Sequence, residues 1–391
     1  MKELRDIIEA IDGGWARGEA MALATIVAVA GSTYRREGAH LVIFADGRMV
    51  GNISGGCLEG DIAVVADEVM RTGIPRLTAY DLTADDDLVW GLGLGCNGKV
   101  DVFVEPVDLE SVEAFFLEPM RTALDAERPV AIAIVLRGTE AVPAGTRLIW
   151  DPDHPAHQRD GRITGMRRRP GVSGLPLEEQ TRLELAMDAA VREGHSRRTT
   201  LALESGTLDI FIEVLRPPIR LVVAGAGHDA IPVVAQAAAL GWRVLVVDKR
   251  DVYLTPERFP GAAFLPASFG EAATRIPLDD RTAVVVMTHN YLHDRDVLRG
   301  LLRRGAPWPF YLGMLGPRAR TAKMLAELRA EGVEPPPELQ GRLYGPVGLD
   351  IGSEGPEEIA LAVIAEVLAV DRARGAGFLR DRPGSIHALT P

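Results

Sequence analysis

The stretch RLVVAGAGHDAIPVVAQAAALGWRVLVVD, residues 220–248, constrains the fold more than any other part of this 391-residue chain. An apolar run ends in Gly225-x-Gly227-x-x-Ala230, a helical pattern follows, and a second apolar run closes on Asp248, 23 residues after the first glycine. In a parallel α/β domain such glycines let backbone approach a pyrophosphate at a helix N-terminus, and the acid accepts from a ribose hydroxyl. Gly225, Gly227 and Asp248 are therefore candidate binding residues for NAD(P) or another nucleotide. The alternative is a doubly wound domain whose turn has been reassigned to a different ligand.

The same alternation runs on toward the C-terminus. Strands are expected at 220–225, 243–248, 282–288 and 310–315, with helices at 229–240, 291–304 and 319–331. A last helix begins near Pro356, where proline suits the first turn and Glu357 and Glu358 suit the helix dipole. Alternation of this kind predicts a parallel sheet with crossover helices. Ligands of such sheets bind at the strand crest, so His228 and His289, the latter in THNYLHD, read as pocket residues. His293 and Asp294 belong to the following helix, and His293 is expected to be exposed there rather than to share a zinc site with His289. In YLGMLGPRARTAKM, Gly313 and Gly316 free the backbone at a strand end. Arg318 and Arg320 either reach an anionic group or are solvated surface residues. The chain contains no Gly-x-x-x-x-Gly-Lys-Ser/Thr and no Tyr-x-x-x-Lys, which removes the P-loop nucleotidases and the proton-relay couple of short-chain dehydrogenases.

Pro217-Pro218 marks the main boundary, because proline continues neither a helix nor an interior strand ladder. Upstream, residues 21–30 form a β-like run and Asp46-Gly47 is a hairpin turn between two short strands. Residues 58–71 have helical spacing that stops at Gly73. Asp101-Val-Phe-Val-Glu105 is echoed by Asp209-Ile-Phe-Ile-Glu213, which suggests two similarly ended α+β units, 1–107 and 108–217, within a first domain of residues 1–217; residues 218–391 form the second. A net charge of −12 argues against nonspecific binding to nucleic acid or anionic membranes. No apolar run reaches the roughly 20 residues needed to span a bilayer, and residues 1–12 lack a secretory pattern, so a cytoplasmic protein with reduced thiols is expected. The two cysteines are Cys57, in GNISGGCLEGDI, and Cys96, in a second glycine-rich stretch. Taken locally, Cys57 reads as a small apolar residue beside turn glycines.

The fragments GSTYRREGAH, GNISGGCLEGDI, GCNGKVDVFVEP, VVAGAGH, VVDKRDVYLTPERFP, THNYLHD, YLGMLGPRAR and PVGLDIGSEGPEEIALAVIAEVLA together resemble the XdhC/CoxI family, accessory factors of xanthine dehydrogenase and related molybdenum hydroxylases. The resemblance departs from the family pattern at Glu37, Asn97 and Pro317, where a proline, a glycine and a serine are usual. It implies an N-terminal mixed α+β region followed by a C-terminal Rossmann-like doubly wound domain. It also implies a cytoplasmic homodimer that binds molybdenum cofactor, protects its sulfurated form and delivers it to an apo-hydroxylase, with a cysteine desulfurase as a further partner.

That cargo carries a phosphate, a pterin and a soft, sulfur-rich metal centre. On this reading Ser54, Gly55 and Gly56 offer backbone N–H groups at a helix start, and Cys57 meets the molybdenum. Cys96 faces it from the second turn, and Gly225, Gly227, His228, Asp248, His289, Gly316 and Arg318 complete the cofactor-binding set. The cofactor chaperone so implied has no turnover of its own, and two other classes remain open: an NAD(P)-dependent oxidoreductase using Gly225, Gly227 and Asp248, and an assembly scaffold whose Rossmann domain holds a structural nucleotide or nothing.

Overall fold

A computed structural model describes residues 2–82, 98–107, 116–125, 128–150, 166–168, 177–204 and 206–382. They form two compact units, Glu3–Pro217 and Pro218–Arg382. Among the described residues no helix is long and apolar enough to cross a membrane.

In the first unit, helix α1 (Lys2–Ala16) precedes five strands, β1 (Met21–Gly31), β2 (His40–Phe44), β3 (Met49–Gly51), β4 (Arg76–Asp81) and β5 (Gly98–Pro106). All their pairings are antiparallel, in the order β3-β2-β1-β5-β4. Helix α2 (Glu59–Thr72) lies between β3 and β4 in sequence and ends on Gly73, whose left-handed conformation lets its N–H reach Val69 O. After α3 (Glu118–Asp125) the plan repeats with β6 (Val130–Arg137), β7 (Arg147–Trp150), β8 (Met166–Arg168), α4 (Leu177–Glu193), β9 (Arg197–Leu203) and β10 (Gly206–Leu215). The second sheet, β8-β7-β6-β10-β9, has the strand order and the helix placement of the first.

The echoed pentapeptides occupy equivalent strands, β5 and β10, and their alternation divides two kinds of chemistry. Val102 and Val104 face Ile62, Ala66 and Val69 of α2, while Ile210 and Ile212 face Leu183, Met187 and Ala190 of α4. The opposite faces carry Asp101, Phe103 and Glu105, and Asp209, Phe211 and Glu213, with both phenylalanines fully buried. Three of the acids there, Glu105, Glu213 and Asp101, bind the other repeat. Arg147 of β7 donates to both oxygens of Glu105 at 2.6 and 2.5 Å. Glu213 Oε1 lies 2.7 Å from His40 Nε2 of β2, whose Nδ1 is 3.1 Å from Thr25 Oγ1. Arg198 of β9 donates to Asp101 at 2.5 Å and to Asp209 at 2.8 and 2.5 Å. Phe116 meets the His40 ring edge-on at 5.3 Å and lies 5.4 Å from the Arg147 guanidinium. Each repeat thus seats a strand-end acid on the first residue of the other repeat's second strand.

The second unit is one parallel sheet, β13-β12-β11-β14-β15-β16, made of β11 (Arg220–Ala224), β12 (Arg243–Asp248), β13 (Ala263–Pro266), β14 (Thr282–Val286), β15 (Tyr311–Met314) and β16 (Leu343–Tyr344). Helices α5 (Ala230–Ala239) and α10 (Pro356–Asp371) supply one buried layer. On the opposite face lie α6 (Phe269–Arg275), α7 (Tyr291–Arg304), α8 (Arg318–Ala330) and the short α9 (Pro337–Gln340). This is the expected doubly wound domain. Strand order reverses between β11 and β14, which places the crest crevice beside the Gly225 turn. Strand β13 and helix α6 go beyond the elements expected from the sequence; β13 is four residues long, ends on Pro266 and is buried only at Leu265.

Gly225 has a φ of 121°, and a Cβ there would stand 2.6 Å from Met287 O, so the close approach of β11 and β14 requires glycine. Gly227 differs, since its Cβ would meet nothing nearer than His289 Cδ2 at 3.5 Å.

Two outcomes are expected. Glu105→Ala strands the Arg147 charge in the interior and lowers stability by about 3–5 kcal/mol in urea unfolding, and pairing Glu105→Met with Arg147→Met recovers most of that loss. In thermal melts Gly225→Ala is strongly destabilised, whereas Gly227→Ala melts within about 2 °C of wild type.

Candidate functional site

In the first unit the candidate site is the turn from Asn52 to Leu58 that feeds α2. Buried Ser54 organises it: its Oγ accepts from the N–H groups of Gly56, Cys57 and Leu58 at 3.2, 3.1 and 3.1 Å. The hydroxyl in turn donates to Glu59 Oε2, and Glu59 also accepts from the N–H of Ser54 at 2.9 Å and of Leu58 at 3.2 Å. Burial opposes the Glu59 charge, but the Ser54 hydroxyl and these backbone donors outweigh it and hold the carboxyl below the ordinary glutamate range. Of the N–H groups expected to meet a phosphate, that of Ser54 is therefore bonded to Glu59 and that of Gly56 to the Ser54 hydroxyl, which locks the turn. Gly55 and Gly56 are exposed, with φ of 105° at Gly56.

Cys57 is half-buried, packed against the core of the first sheet while part of it reaches the surface. Beside the turn stands Tyr34, 59% exposed, whose Cδ2 would lie 4.0 Å from a Cβ placed on Gly55. Tyr34 is absent from the residues singled out by sequence. Its only local signal is an aromatic residue inside the turn-rich run GSTYRREG. Cys96 and Asn97 lie outside the described residues. Among the described residues no three His, Cys, Asp or Glu side chains gather as a metal site.

In the second unit the crest is built around Gly227, which the fold does not require to be glycine. His228 is exposed beside it. His289 follows β14 with a φ of 57°, uncommon for a residue other than glycine, and its Nε2 lies 3.1 Å from Asp229 Oδ2. Asp248, expected to accept from ribose, is fully buried. It accepts from the N–H of Ala226 at 2.8 Å and of Arg250 at 2.9 Å, and from Arg250 Nε and Nη2 at 2.9 and 2.8 Å. Burial again opposes the charge, and the Arg250 pair with the two amides holds the carboxyl below the usual aspartate range. Arg318 is exposed at the start of α8, after Gly316 with a φ of 116°. Arg320 is instead drawn to Asp294, which also accepts from Thr288 Oγ1 at 2.5 Å and Thr288 N–H at 3.1 Å, so this pair ties β14, α7 and α8 together. His293 is not the exposed residue expected from its helix position. It is half-buried, with its ring 5.1 Å from that of Phe269 and its Nε2 3.1 Å from Lys249 Nζ.

The family model described as XdhC Rossmann domain matches residues 221–367, and the model of the XdhC and CoxI family matches residues 14–81. The chain is 32% identical to a probable xanthine dehydrogenase subunit of Bacillus subtilis, over 90% of its own length and 93% of that protein. It is 26% identical to the molybdenum cofactor insertion chaperone PaoD of Escherichia coli, over 94% of its length and 87% of that protein. The crystal structure of a xanthine dehydrogenase from Bacillus halodurans superposes with a TM-score of 0.73 at 29% identity, covering 98% of each chain. Agreement over both units, and not over the glycine-rich turn alone, shows that the chain belongs to the XdhC and CoxI family.

Proposed function

We propose that this chain is a cytoplasmic accessory factor that binds molybdenum cofactor as cargo, protects its sulfurated form, and passes it to an apo-hydroxylase of the xanthine dehydrogenase type. The observation that carries the reading is the Ser54-Gly55-Gly56-Cys57 turn. The N–H groups of Ser54, Gly56 and Cys57 are bonded within the chain, so the turn is held without a ligand, and it carries half-buried Cys57 two residues after Gly55, beside which the exposed Tyr34 ring stands. A sulfur-rich metal centre suits a soft neighbour such as Cys57. A flat pterin suits the face of Tyr34. The names of two relatives, one a probable xanthine dehydrogenase subunit and one a molybdenum cofactor insertion chaperone, point to the same chemistry.

Retention of a labile cargo needs exclusion of water and a fixed contact, and the internal bonding of this turn serves the second. The Ser54 hydroxyl occupies the convergence point of three N–H groups, so the backbone at Cys57 does not have to reorganise when cargo arrives. Cys96 belongs to the reading as a second thiol for the same centre. A homodimer, and a cysteine desulfurase as the donor of the sulfur that is protected, complete the proposal. What weighs against the competing oxidoreductase reading is that its ribose acceptor is occupied, since the buried Asp248 carboxylate already accepts four bonds from Ala226 and Arg250.

The test is the molybdenum and pterin content of full-length protein co-produced with the cofactor. Cys57→Ser is expected to keep its melting temperature within about 2 °C, because serine in a half-exposed turn costs little, while losing most of its cargo. Tyr34→Leu is expected to lose pterin several-fold with the fold intact, and Cys96→Ser to lose part of it. Wild-type loading in both serine variants would show that the thiols do not hold the cargo.

A further inference from the structure

Asp248 and Arg250 together change what the crest of the second unit can recognise. A strand-end acid reads a ribose diol only when its carboxylate is free to accept. Here all four bonds to that carboxylate come from the chain, three of them from Arg250, and the group is fully buried. What the strand end shows to solvent is instead the Arg250 guanidinium, 47% exposed. Its Nε and Nη2 face Asp248, and its Nη1 has no acceptor among the described residues. The plane of this group is held by Tyr253, with the ring centroid 4.5 Å from the guanidinium carbon. Arg258 lies 5.1 Å from the same centroid and is anchored by a 3.1 Å bond to Ala226 O, inside the glycine turn. Lys249 Nζ stands next in sequence, near His293. Tyr253 and Val252 remain 38% and 72% exposed, an apolar shelf beside the cations.

We infer that the second unit binds a flat heterocyclic ligand carrying a phosphomonoester, and that Arg250, assisted by Lys249, reads that phosphate where an unpaired acid would read a diol. A phosphate dianion suits the planar, permanently charged fork of arginine, and a heterocycle stacks on guanidinium and tyrosine faces. Asp251 and Glu257 are exposed in the same segment, with Glu257 held by the Thr255 hydroxyl, so the preference is set at the Arg250 edge rather than by a large excess of positive charge. Two ligands share this chemistry: a dinucleotide with a 2′-phosphate, and the phosphorylated pterin of the proposed cargo. The inference stands on the second unit alone, so its failure leaves the reading of the Cys57 turn intact, and the reverse.

The experiment titrates the full-length protein with two matched pairs. The first is NADP⁺ against NAD⁺ by calorimetry. The second is the oxidised fluorescent pterin of molybdenum cofactor, with its phosphate intact or removed by phosphatase. In at least one pair the phosphorylated member is expected to bind about tenfold or more tightly, Arg250→Gln to abolish that preference, and Lys249→Ala to reduce it. A preference in the first pair identifies a dinucleotide, and one confined to the second identifies the pterin. Arg250→Gln also unpairs Asp248, so if that variant melts early, Lys249→Ala, which leaves the pair untouched, decides the matter. Equal affinities within both pairs, tighter binding of NAD⁺ than NADP⁺, or a preference unchanged in both variants would overturn the inference.

Discussion

The first unit depends on a polar crossing between its two repeats. Removing Glu105 and Arg147 from water is costly, and the return comes only through the two-pronged geometry that both side chains adopt at 3–4% exposure. Glu213 with His40 makes the reciprocal contact, and Arg198 clasps both aspartates at the same strand level. A wholly apolar interface between similar sheets would tolerate sliding by one residue pair, since neighbouring registers bury similar area. Acids that find a base at only one position exclude those registers. The turn that carries Cys57 follows β3, which pairs with β2, the strand that starts at His40, so the site inherits this register.

Both candidate sites share a second principle: groups that look available in sequence are used to build the site itself. Ser54 spends its oxygen on three N–H groups and its proton on Glu59. Asp248 turns inward to the glycine loop and to Arg250. In each case burial works against a charge that hydrogen bonds then restore, with the carboxyl held below its ordinary range. Their neighbours, half-buried Cys57 and exposed Tyr34 in one unit and exposed Arg250 in the other, are left as the candidates for ligand contact.

Much of the fold is legible in the sequence. Strands β11, β12 and β14 are short apolar runs buried on both sides, and β15 closes on a turn glycine, so their alternation with helices carries the parallel sheet. Asp46-Gly47 marks the β2–β3 hairpin for the same local reason. Strand β13 is hidden because an exposed edge of four residues has no periodicity to read. The sites are less legible. The Ser54–Glu59 spacing of five is not the spacing of three that marks a capping box, so the locked turn shows only in three dimensions. Asp248 fits the dinucleotide pattern as written, and only the direction of its carboxylate shows that it is bonded to Ala226 and Arg250 within the chain. His293 reads as solvated in sequence because its helix position says nothing of the Phe269 ring beside it.

The central claim is delivery of molybdenum cofactor, and the most direct measurement is transfer. Full-length protein loaded with the sulfurated cofactor and freed of unbound cofactor is mixed with a cofactor-free hydroxylase of the xanthine dehydrogenase type, and turnover is followed against the same amount of free cofactor. The account predicts that activity appears in proportion to the loaded protein and exceeds that from free cofactor after both have stood in air. Loaded protein that activates no better than free cofactor, or that retains no cofactor through the separation, would contradict it.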